Sequence, residues 1–508
     1  MSMLATPYRS IRKGTQQALR PGSPRWSRIV GGFGLLTLGS AIAIAPPLLS
    51  AAALAGALVL SLMLVQPLAG VFLLGWSVPF QSLAATTLGL FRISLTEGLV
   101  LLYVAAAVLS LRRVRGLSRP LLLLPGLVLL AVLMLSILRS RHVESSIEEV
   151  IKWAEFLAVY GVTVALLRVT RWRWWVVGGL LVAAAAEAAV GLVQTLGQIG
   201  PTHFLVNGVL MRAHGTFGQP NPFAGYLALF FPIAFALWAF GDLEARLPWI
   251  RSLAGLVAVA LGSALLASLS RGGLLGFAGA VLLVLVLGSR GTRRVTLALG
   301  AGALLLTILG SLALPGQVAE PALNAAIDAV NVRTVTSTPV TPENWSVLER
   351  LSQWHAGLRM FQDNYLIGIG IGNYDFYYPE FALADWPQPL GHAHNLYLNI
   401  AAEAGLLGLG AYVVLVVAVV RLGRRALRNR HDRASRALAV GILGGLTAYS
   451  IHNLFDMLFV QGVGVLLGLL LALLENSASS PESTPSQAAY RGQPDGGTPA
   501  GNRLGAAA

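Results

Sequence analysis

Long apolar segments alternate with short polar connections along most of this chain. A helix that crosses a bilayer needs roughly 20 apolar residues, and about fourteen segments approach that length. The early segments after Pro46 and Pro47 are short and barely separated, so the pattern predicts an all-α polytopic membrane protein with about 12–14 transmembrane helices. The predicted segments are 29–46, 48–64, 66–80, 94–111, 120–138, 147–167, 174–197, 222–240, 250–269, 272–288, 294–314, 396–420, 436–453 and 456–475.

One long polar loop interrupts this alternation, from Pro315 to Asn395. Apolar residues recur at helical spacing from about Asn344 to Phe361, which predicts an amphipathic helix lying on the membrane surface. Its apolar positions are Val347, Leu348, Leu351, Trp354, Leu358 and Phe361. After Glu475 the chain is rich in Ser, Pro, Gly and Ala, a composition typical of a disordered tail.

The composition supports a membrane protein and excludes several other classes. The 508 residues are 55% hydrophobic and only 11% charged, with a mean hydropathy of +0.69. A soluble protein of this size does not need so many hydrophobic residues to form its core. The chain contains no cysteine, which excludes disulfides, thiolate metal sites and thiol nucleophiles. The net charge of +14 is carried mostly by short loops, so it indicates membrane topology and not binding to nucleic acid.

The basic loops also predict the orientation of the chain. With the N-terminus in the cytoplasm and strict alternation, every strongly basic short loop falls inside, as the positive-inside rule requires. These loops are 112–115, 168–173, 246–251, 290–294 and 421–436. The same alternation places the connections 200–221, 270–272, 315–395 and 452–456 outside. We therefore expect the polar residues that are candidates for catalysis or binding to share one extracytoplasmic face.

Two arginines on that face are candidates for binding an anion. A guanidinium can donate two parallel hydrogen bonds to a phosphate and stays charged at any relevant pH. Arg271 stands in a predicted tight turn, on the side where the positive-inside rule disfavours a cation, so it is explained either by an anionic ligand or by an ion pair with Glu403 or Asp456. Arg212 is explained either by the same ligand or by anchoring in lipid headgroups.

Two histidines, His392 and His394, close the long loop just before an apolar segment. An imidazole titrates near neutral pH and can accept a proton beside a lipid-borne substrate. Two histidines without a third ligand make a poor zinc site, so no metal is predicted. The glycines of 368–372 form too weak a nucleotide-binding pattern and predict a close-packed turn instead.

Three further ionisable residues are candidates for supporting roles. Glu403 lies about two turns into the apolar segment that follows His394, where a carboxyl group needs a partner, and we expect it to orient a histidine or to pair with an arginine. His452 and Asp456 are four residues apart, which places them on one face if both belong to a helix. We predict that they meet at the same outer surface.

These motifs together resemble the O-antigen ligase and Wzy-type polymerase superfamily. The resemblance rests on Gly215-Thr216-Phe217 with Pro220-Asn221, on Ser270-Arg271-Gly272, on the glycines between Asn364 and Asn373, and above all on His394-Asn395-Leu396 followed by the motif 403–408. It covers roughly residues 200–475 and implies a glycosyltransferase C-like fold. It also implies a metal-independent, inverting glycosyltransferase without cofactor, whose donor is an undecaprenyl-diphosphate-linked glycan.

The resemblance assigns roles to particular residues. It implies that Arg212 and Arg271 bind the lipid diphosphate and that His394 is the catalytic base, with supporting roles for Asn395, Glu403, His392, His452 and Asp456. The implied organisation is a cytoplasmic basic N-terminus over 1–28, a transmembrane bundle over 29–199, a catalytic transmembrane region over 200–475 that contains the loop 315–395, and a cytoplasmic tail over 476–508.

The acceptor remains open at this stage. A lipid A core acceptor would make the enzyme a ligase of lipopolysaccharide biosynthesis, another lipid-linked repeat would make it a polysaccharide polymerase, and a protein hydroxyl would make it a protein O-oligosaccharyltransferase. All three would work at the outer face of the bacterial inner membrane, among membrane lipids. From other classes, a solute (bicarbonate-type) transporter would need ionisable pairs near the bilayer midplane, and a non-catalytic scaffold would tolerate loss of His394.

Overall fold

A computed structural model of the chain describes residues 47–81, 85–88, 91–112, 114, 118–170, 172–243, 248–313, 335–336, 338–341, 344–428 and 432–478. The predicted basic N-terminus, the segment 29–46 and nearly all of the predicted tail lie outside these residues. By contacts the chain divides into two compact units, 1–65 and 66–508. In the first unit the described element is helix α1, Pro47–Val65.

The second unit is built almost entirely of helices in its described part. Two short antiparallel hairpins interrupt them: β1 (Ala85–Leu88) pairs with β2 (Phe91–Ser94), and β3 (Leu205–Val206) pairs with β4 (Leu210–Met211). The helices are α2 (Ala69–Ser77), α3 (Leu95–Leu111), α4 (Leu123–Ser136), α5 (Val143–Val169), α6 (Arg173–Gly197), α7 (Pro220–Phe240), α8 (Pro248–Ala267), α9 (Arg271–Gly288), α10 (Arg290–Ala313), α11 (Trp345–Asp363), α12 (Tyr374–Phe381), α13 (Leu396–Arg428), α14 (Arg433–His452) and α15 (Val463–Ala478).

Length and composition qualify seven of the described helices as membrane spans. They are Val143–Val169, Arg173–Gly197, Pro220–Phe240, Trp249–Ala267, Arg271–Gly288, Leu396–Arg428 and Arg433–His452. Shorter apolar helices add to them, including Leu95–Leu111 and Val463–Ala478. The predicted all-α polytopic membrane class is therefore confirmed. The segment 66–80 differs from its prediction, because α2 has only nine residues and at 1.5 Å per residue is too short to cross a bilayer.

Glycines let the central helices pack at close range. A Cβ added to Gly445 of α14 would lie 2.4 Å from the Leu229 carbonyl oxygen of α7, and one on Gly276 of α9 would lie 2.6 Å from the Ala448 oxygen of α14. In a bilayer the lipid tails are as apolar as the side chains, so close van der Waals packing of this kind holds helices together. Helices α7, α9 and α14 thus form the core that positions the site.

The two ends of this bundle differ in their contacts. At one end the start of α6 meets the start of α14 through the Arg173–Asp432 ion pair, at 2.8 Å, and Arg436 donates to the Gly288 carbonyl at the end of α9. At the other end, α7 and α9 begin and α14 finishes at His452. The basic loops and the candidate site residues therefore lie at opposite ends.

Candidate functional site

The candidate site begins with the loop that presents His394. Three surrounding elements hold this loop: the Asp375 carboxylate accepts from Gly391 N–H (2.7 Å), the Asn399 side-chain oxygen accepts from Ala393 N–H (3.0 Å), and the Trp354 indole donates to the His394 carbonyl (3.3 Å). His394 adopts a left-handed backbone, with φ of 49°. A non-glycine residue holds that conformation only where its surroundings impose it, and such residues concentrate at functional sites.

Asp456 binds the His394 ring. Its Oδ1 lies 3.1 Å from His394 Nδ1, and its Oδ2 accepts from the Asn221 side-chain amide at 2.9 Å. Burial by itself raises the pKa of Asp456, but the hydrogen bond and the charge of His394 outweigh burial, so the pKa lies below its usual range. A carboxylate on Nδ1 fixes the orientation of the ring and leaves Nε2 for a substrate.

The prediction for His452 and Asp456 is wrong about a shared helix face, although both residues lie at the same end of the bundle. Helix α14 ends at His452, and Asp456 lies in the turn that follows it. His452 is instead buried against the start of α9, where a Cβ added to Gly272 would lie 2.5 Å from its ring. Its Nδ1 is buried without a hydrogen-bond partner in the part of the chain that the structure describes. His452 thus packs against Gly272 at the start of α9, while remaining close enough to Asp456 for the two charges to interact.

Three guanidinium groups share this end of the bundle. Arg212 follows strand β4, is half-buried, and donates from Nε to the Ser268 carbonyl at 2.9 Å. Burial lowers the pKa of Arg212, and the charges of Arg350 and Arg271 lower it further. The carbonyl to which Arg212 donates belongs to Ser268, three residues before Arg271, so these two cations share one part of the bundle. Among the described residues, none of the three is within 4.0 Å of a carboxylate.

Arg271 and Arg350 reach this cluster from different elements. The predicted tight turn occupies 268–270, and Arg271, which is exposed, is the first residue of α9, whose start is capped by Ser270. Arg350 belongs to the amphipathic helix α11 and donates to the Phe455 carbonyl, next to Asp456, at 3.1 Å. The sequence analysis did not single out Arg350. Its charge on the predicted outer side was the signal, the same one that singled out Arg271.

Helix geometry adds to the positive potential. Helices α7, α9 and α13 all begin at this end of the bundle, and the N-terminus of a helix carries a partial positive charge with free N–H groups. Asn395 caps α13, since its side-chain oxygen accepts from Tyr397 and Leu398 N–H at 3.1 and 3.0 Å. The cluster is thus suited to an anion with several oxygens, such as a diphosphate.

The structure supplies the third metal ligand that the sequence had not indicated. Ligand atoms of His392, His394 and Asp456 lie within 4.8 Å of one another, a spacing that can hold a metal ion. Burial lowers the pKa of His392 to about 4, and the charges of His394 and Arg350 act in the same direction. The positive surroundings that disfavour a proton on His392 also disfavour a divalent cation there.

Glu403 lies in different surroundings from those expected. Its two carboxylate oxygens accept from Tyr374 N–H and from the Asn399 side chain, both at 3.0 Å, and no histidine or arginine of the described chain bonds to it. Helix α13 is interrupted at Gly405, where φ is 66° and ψ −162°. The Ala402 and Glu403 carbonyls beside this break accept from Ile369 and Gly370 N–H at 3.0 and 2.9 Å, so Glu403 and the break bind the glycine turn 368–372.

The comparisons with known proteins agree with the resemblance. The family model described as O-antigen ligase matches residues 255–413, a range that contains Arg271, Arg350 and His394 but not Arg212 or Asp456. The match confirms the resemblance to the O-antigen ligase and Wzy-type superfamily. Together with the apolar helices, it identifies a multi-pass membrane protein with a region of the O-antigen ligase or polymerase type.

The other comparisons add little. No curated protein matches this sequence. A solved structure described as "Structural coordination of polymerization and crosslinking by a peptidoglycan synthase complex" is similar over 72% of this chain and 98% of that chain, at 18% identity. Its TM-score is 0.37, and a likeness of that size supports no conclusion about this protein.

Proposed function

We propose that this chain, whose residues 255–413 carry the O-antigen ligase pattern, is an inverting glycosyltransferase that transfers a glycan from undecaprenyl diphosphate to an acceptor. The observation that carries the proposal is the convergence of three guanidinium groups with the His394–Asp456 pair at one end of the bundle. We favour a lipid A core as acceptor. A polysaccharide polymerase or a protein O-oligosaccharyltransferase shares the same donor chemistry.

The arginines act on the leaving group. As the acceptor oxygen forms its bond to the anomeric carbon, the bond from that carbon to the diphosphate oxygen breaks, and its electron pair leaves with the lipid diphosphate. Arg212, Arg271 and Arg350 stabilise the negative charge that grows there, aided by the helix N-termini. In sites that lack such cations a divalent metal does this electrostatic work, so we expect transfer to persist in a chelator.

His394 acts on the acceptor. Its Nδ1 is engaged by Asp456, so Nε2 receives the proton that the attacking hydroxyl loses. The charge that then forms on the imidazole is stabilised by the adjacent carboxylate. A single displacement of this kind inverts the configuration at the anomeric carbon.

We propose that the site faces the extracytoplasmic side, and the distribution of charge supports this. It lies at the end opposite Arg173, Arg436 and the basic loops that contain them, and loops rich in arginine stay in the cytoplasm. The amphipathic helix α11 lies against the site on this side, through Arg350 and Trp354. In that position it excludes water, which would otherwise compete as acceptor, and a deletion of α11 that left transfer intact would contradict this role.

The test replaces His394 by alanine in cells and compares the surface glycans by gel. His203→Ala is the matched control, because His203 is exposed in the 200–221 connection. We expect His394→Ala to abolish attachment, a loss of at least about a hundredfold. Accumulated lipid-linked polymer identifies a ligase, a collapse to single repeats identifies a polymerase, and an unchanged glycan would refute the proposal.

A further inference from the structure

A second polar cluster lies in the apolar part of the bundle, separate from the arginines and histidines. It surrounds a small cavity between the first turn of α3, the middle of α5 and the turn before α15. The side chains that line it are Gln81, Thr96, Glu97, Lys152, Glu155 and Gln461. Ionisable residues within membrane helices are costly and usually functional. The proposed glycan transfer assigns no role to these cavity residues, either in proton transfer by His394 or in binding of the diphosphate.

Several oxygens in this cavity have no protein partner. Thr96 is only 1% exposed, yet its hydroxyl forms no hydrogen bond in the described part of the chain, and the same holds for the buried side-chain oxygens of Gln81 and Gln461. The Glu155 carboxylate also lines the cavity, and among the described residues it takes part in no hydrogen bond or ion pair. Buried polar atoms are normally satisfied, so three buried oxygens without a partner, lining one cavity together with the Glu155 carboxylate, indicate a missing ligand.

The charges define the ligand further. Lys152 forms its ion pair with Glu149 on the same helix, and Glu97 uses one oxygen to cap α3 by accepting from Ser94 N–H at 2.7 Å. The lining contains two carboxylates, Glu97 and Glu155, and one ammonium, Lys152, whose charge is shared with Glu149 outside the cavity. The lining is therefore net negative and favours a cation. The nearby ammonium repels a divalent ion more strongly than a singly charged one, so a singly charged cation is favoured.

Size excludes larger ligands. The cavity has a volume of about 30 Å³, which holds a small ion or about two waters but not a sugar ring. Its wall includes a turn in which Gln461 and Gly462 have φ of 49° and 73°. The positive φ favours glycine at position 462, and a Cβ there would lie 2.5 Å from the Gln81 side-chain oxygen, so this turn lies directly against Gln81 at the cavity.

We propose that this cavity binds a monovalent alkali cation of the size of Na⁺ through oxygens of Glu155, Glu97, Thr96, Gln81 and Gln461. Hard cations prefer oxygen ligands of this kind, and Na⁺ sites in membrane proteins lie beside unwound backbone such as this turn. The cation holds the turn 460–462 against α3 and α5. The ring of Trp153 in α5 stacks on Phe459 at 4.1 Å, and this contact also holds the turn 460–462 against α5. Phe459 is three residues after Asp456.

The site predicts that Na⁺ stabilises the protein. We would measure thermal unfolding of the full-length protein in detergent, in NaCl, KCl and choline chloride at equal ionic strength. Because a ligand that binds only the folded state stabilises it by mass action, we expect a saturable rise of about 2 °C or more in NaCl that choline does not give. Equal unfolding temperatures in all three salts would overturn the proposal.

Variants of the cavity residues test whether the stabilisation by Na⁺ arises at this cavity. Glu155→Gln removes the unpartnered carboxylate and should weaken the apparent Na⁺ affinity about tenfold or more, since ligand charge tunes affinity, while Lys152→Met removes a competing cation and should strengthen it. Glu144→Gln, in the first turn of α5 and outside the cavity, is the matched control. Should Glu155→Gln not fold, Thr96→Val replaces it, with the same expected direction. A wild-type Na⁺ response in the variant tested would refute the site and leave the proposed glycan transfer untouched.

Discussion

Two buried carboxylates, Asp456 and Glu403, show how similar residues acquire different roles in this protein. Both lie near His394 in the fold, and both are nearly inaccessible, at 6% and 3% exposure. Asp456 faces an imidazole and an amide, beside a cluster of guanidinium groups. Glu403 faces the Tyr374 backbone amide and the Asn399 side chain, so it stabilises a turn. The partner, and not the carboxylate or its burial, determines whether such a residue acts in chemistry or in folding.

The largest effect on the catalytic side of this comparison is expected from Arg271. Arg271→Ala removes a cation that has no carboxylate partner among the described residues, so the loss falls on the transition state: about a hundredfold to a thousandfold in transfer rate. Arg271→Lys keeps the charge without the planar fork and should be intermediate. The measurement is transfer from a purified lipid-linked donor, with Arg359→Ala on the exposed side of α11 as control. Equal rates for Arg271→Ala and wild type would remove Arg271 from the site.

Asp456→Asn tests whether the carboxylate positions the histidine. The amide can still bond to the ring but cannot stabilise an imidazolium, so we expect the maximal rate to fall about tenfold to a hundredfold, with little change in donor KM. Because His394 holds the pKa of Asp456 below its usual range, the carboxylate stays charged well below neutral pH. The defect should therefore persist from pH 5 to pH 8. A defect confined to KM would argue for a role in binding instead.

Glu403→Gln should give the opposite pattern. The glutamine side chain has one acceptor oxygen, and its amide nitrogen accepts no hydrogen bond, so one of the two buried N–H donors loses its partner at a cost of about 1–3 kcal/mol. We expect a lower unfolding temperature and less protein in the membrane, with an unchanged transfer rate per folded molecule. Thermal unfolding and a rate normalised to folded protein separate the two. A rate loss in fully folded Glu403→Gln would assign Glu403 to the chemistry.

The smallest effect concerns His392 and pH. Its pKa is lowered to about 4 in the folded protein, whereas in the unfolded chain it is about 6.5. Below pH 6.5 the unfolded chain therefore binds a proton that the folded protein does not, so stability falls as the pH drops from 6.5 towards 4. His392→Gln should make the unfolding temperature depend less steeply on pH in that range. A slope identical to wild type would show that His392 is not buried in its neutral form.

The sequence itself determined the membrane class, because the free energy of transferring apolar segments into lipid depends on local composition and length. Most of the described helices follow the predicted segments, except that 66–80 contains only a nine-residue helix and the segment predicted over 456–475 begins its helix at Val463. Helix α11 (Trp345–Asp363) matches the amphipathic helix predicted from about 344 to 361. Arg271, Arg212 and His394 could be singled out because a charge or an imidazole at an outer loop is conspicuous against an apolar background. The family match over 255–413 confirms the resemblance that their motifs suggested.

Only the tertiary structure determined which of these residues meet. Asp456 bonds to His394 across 62 positions of sequence, Arg350 reaches the cluster from the long loop, and Glu403 points to the glycine turn. Spacing along a helix predicts neighbours only within that helix, and α14 ends before Asp456. The break at Gly405 and the approach of separate helix ends depend on packing between distant segments, and no local pattern of residues contains that information.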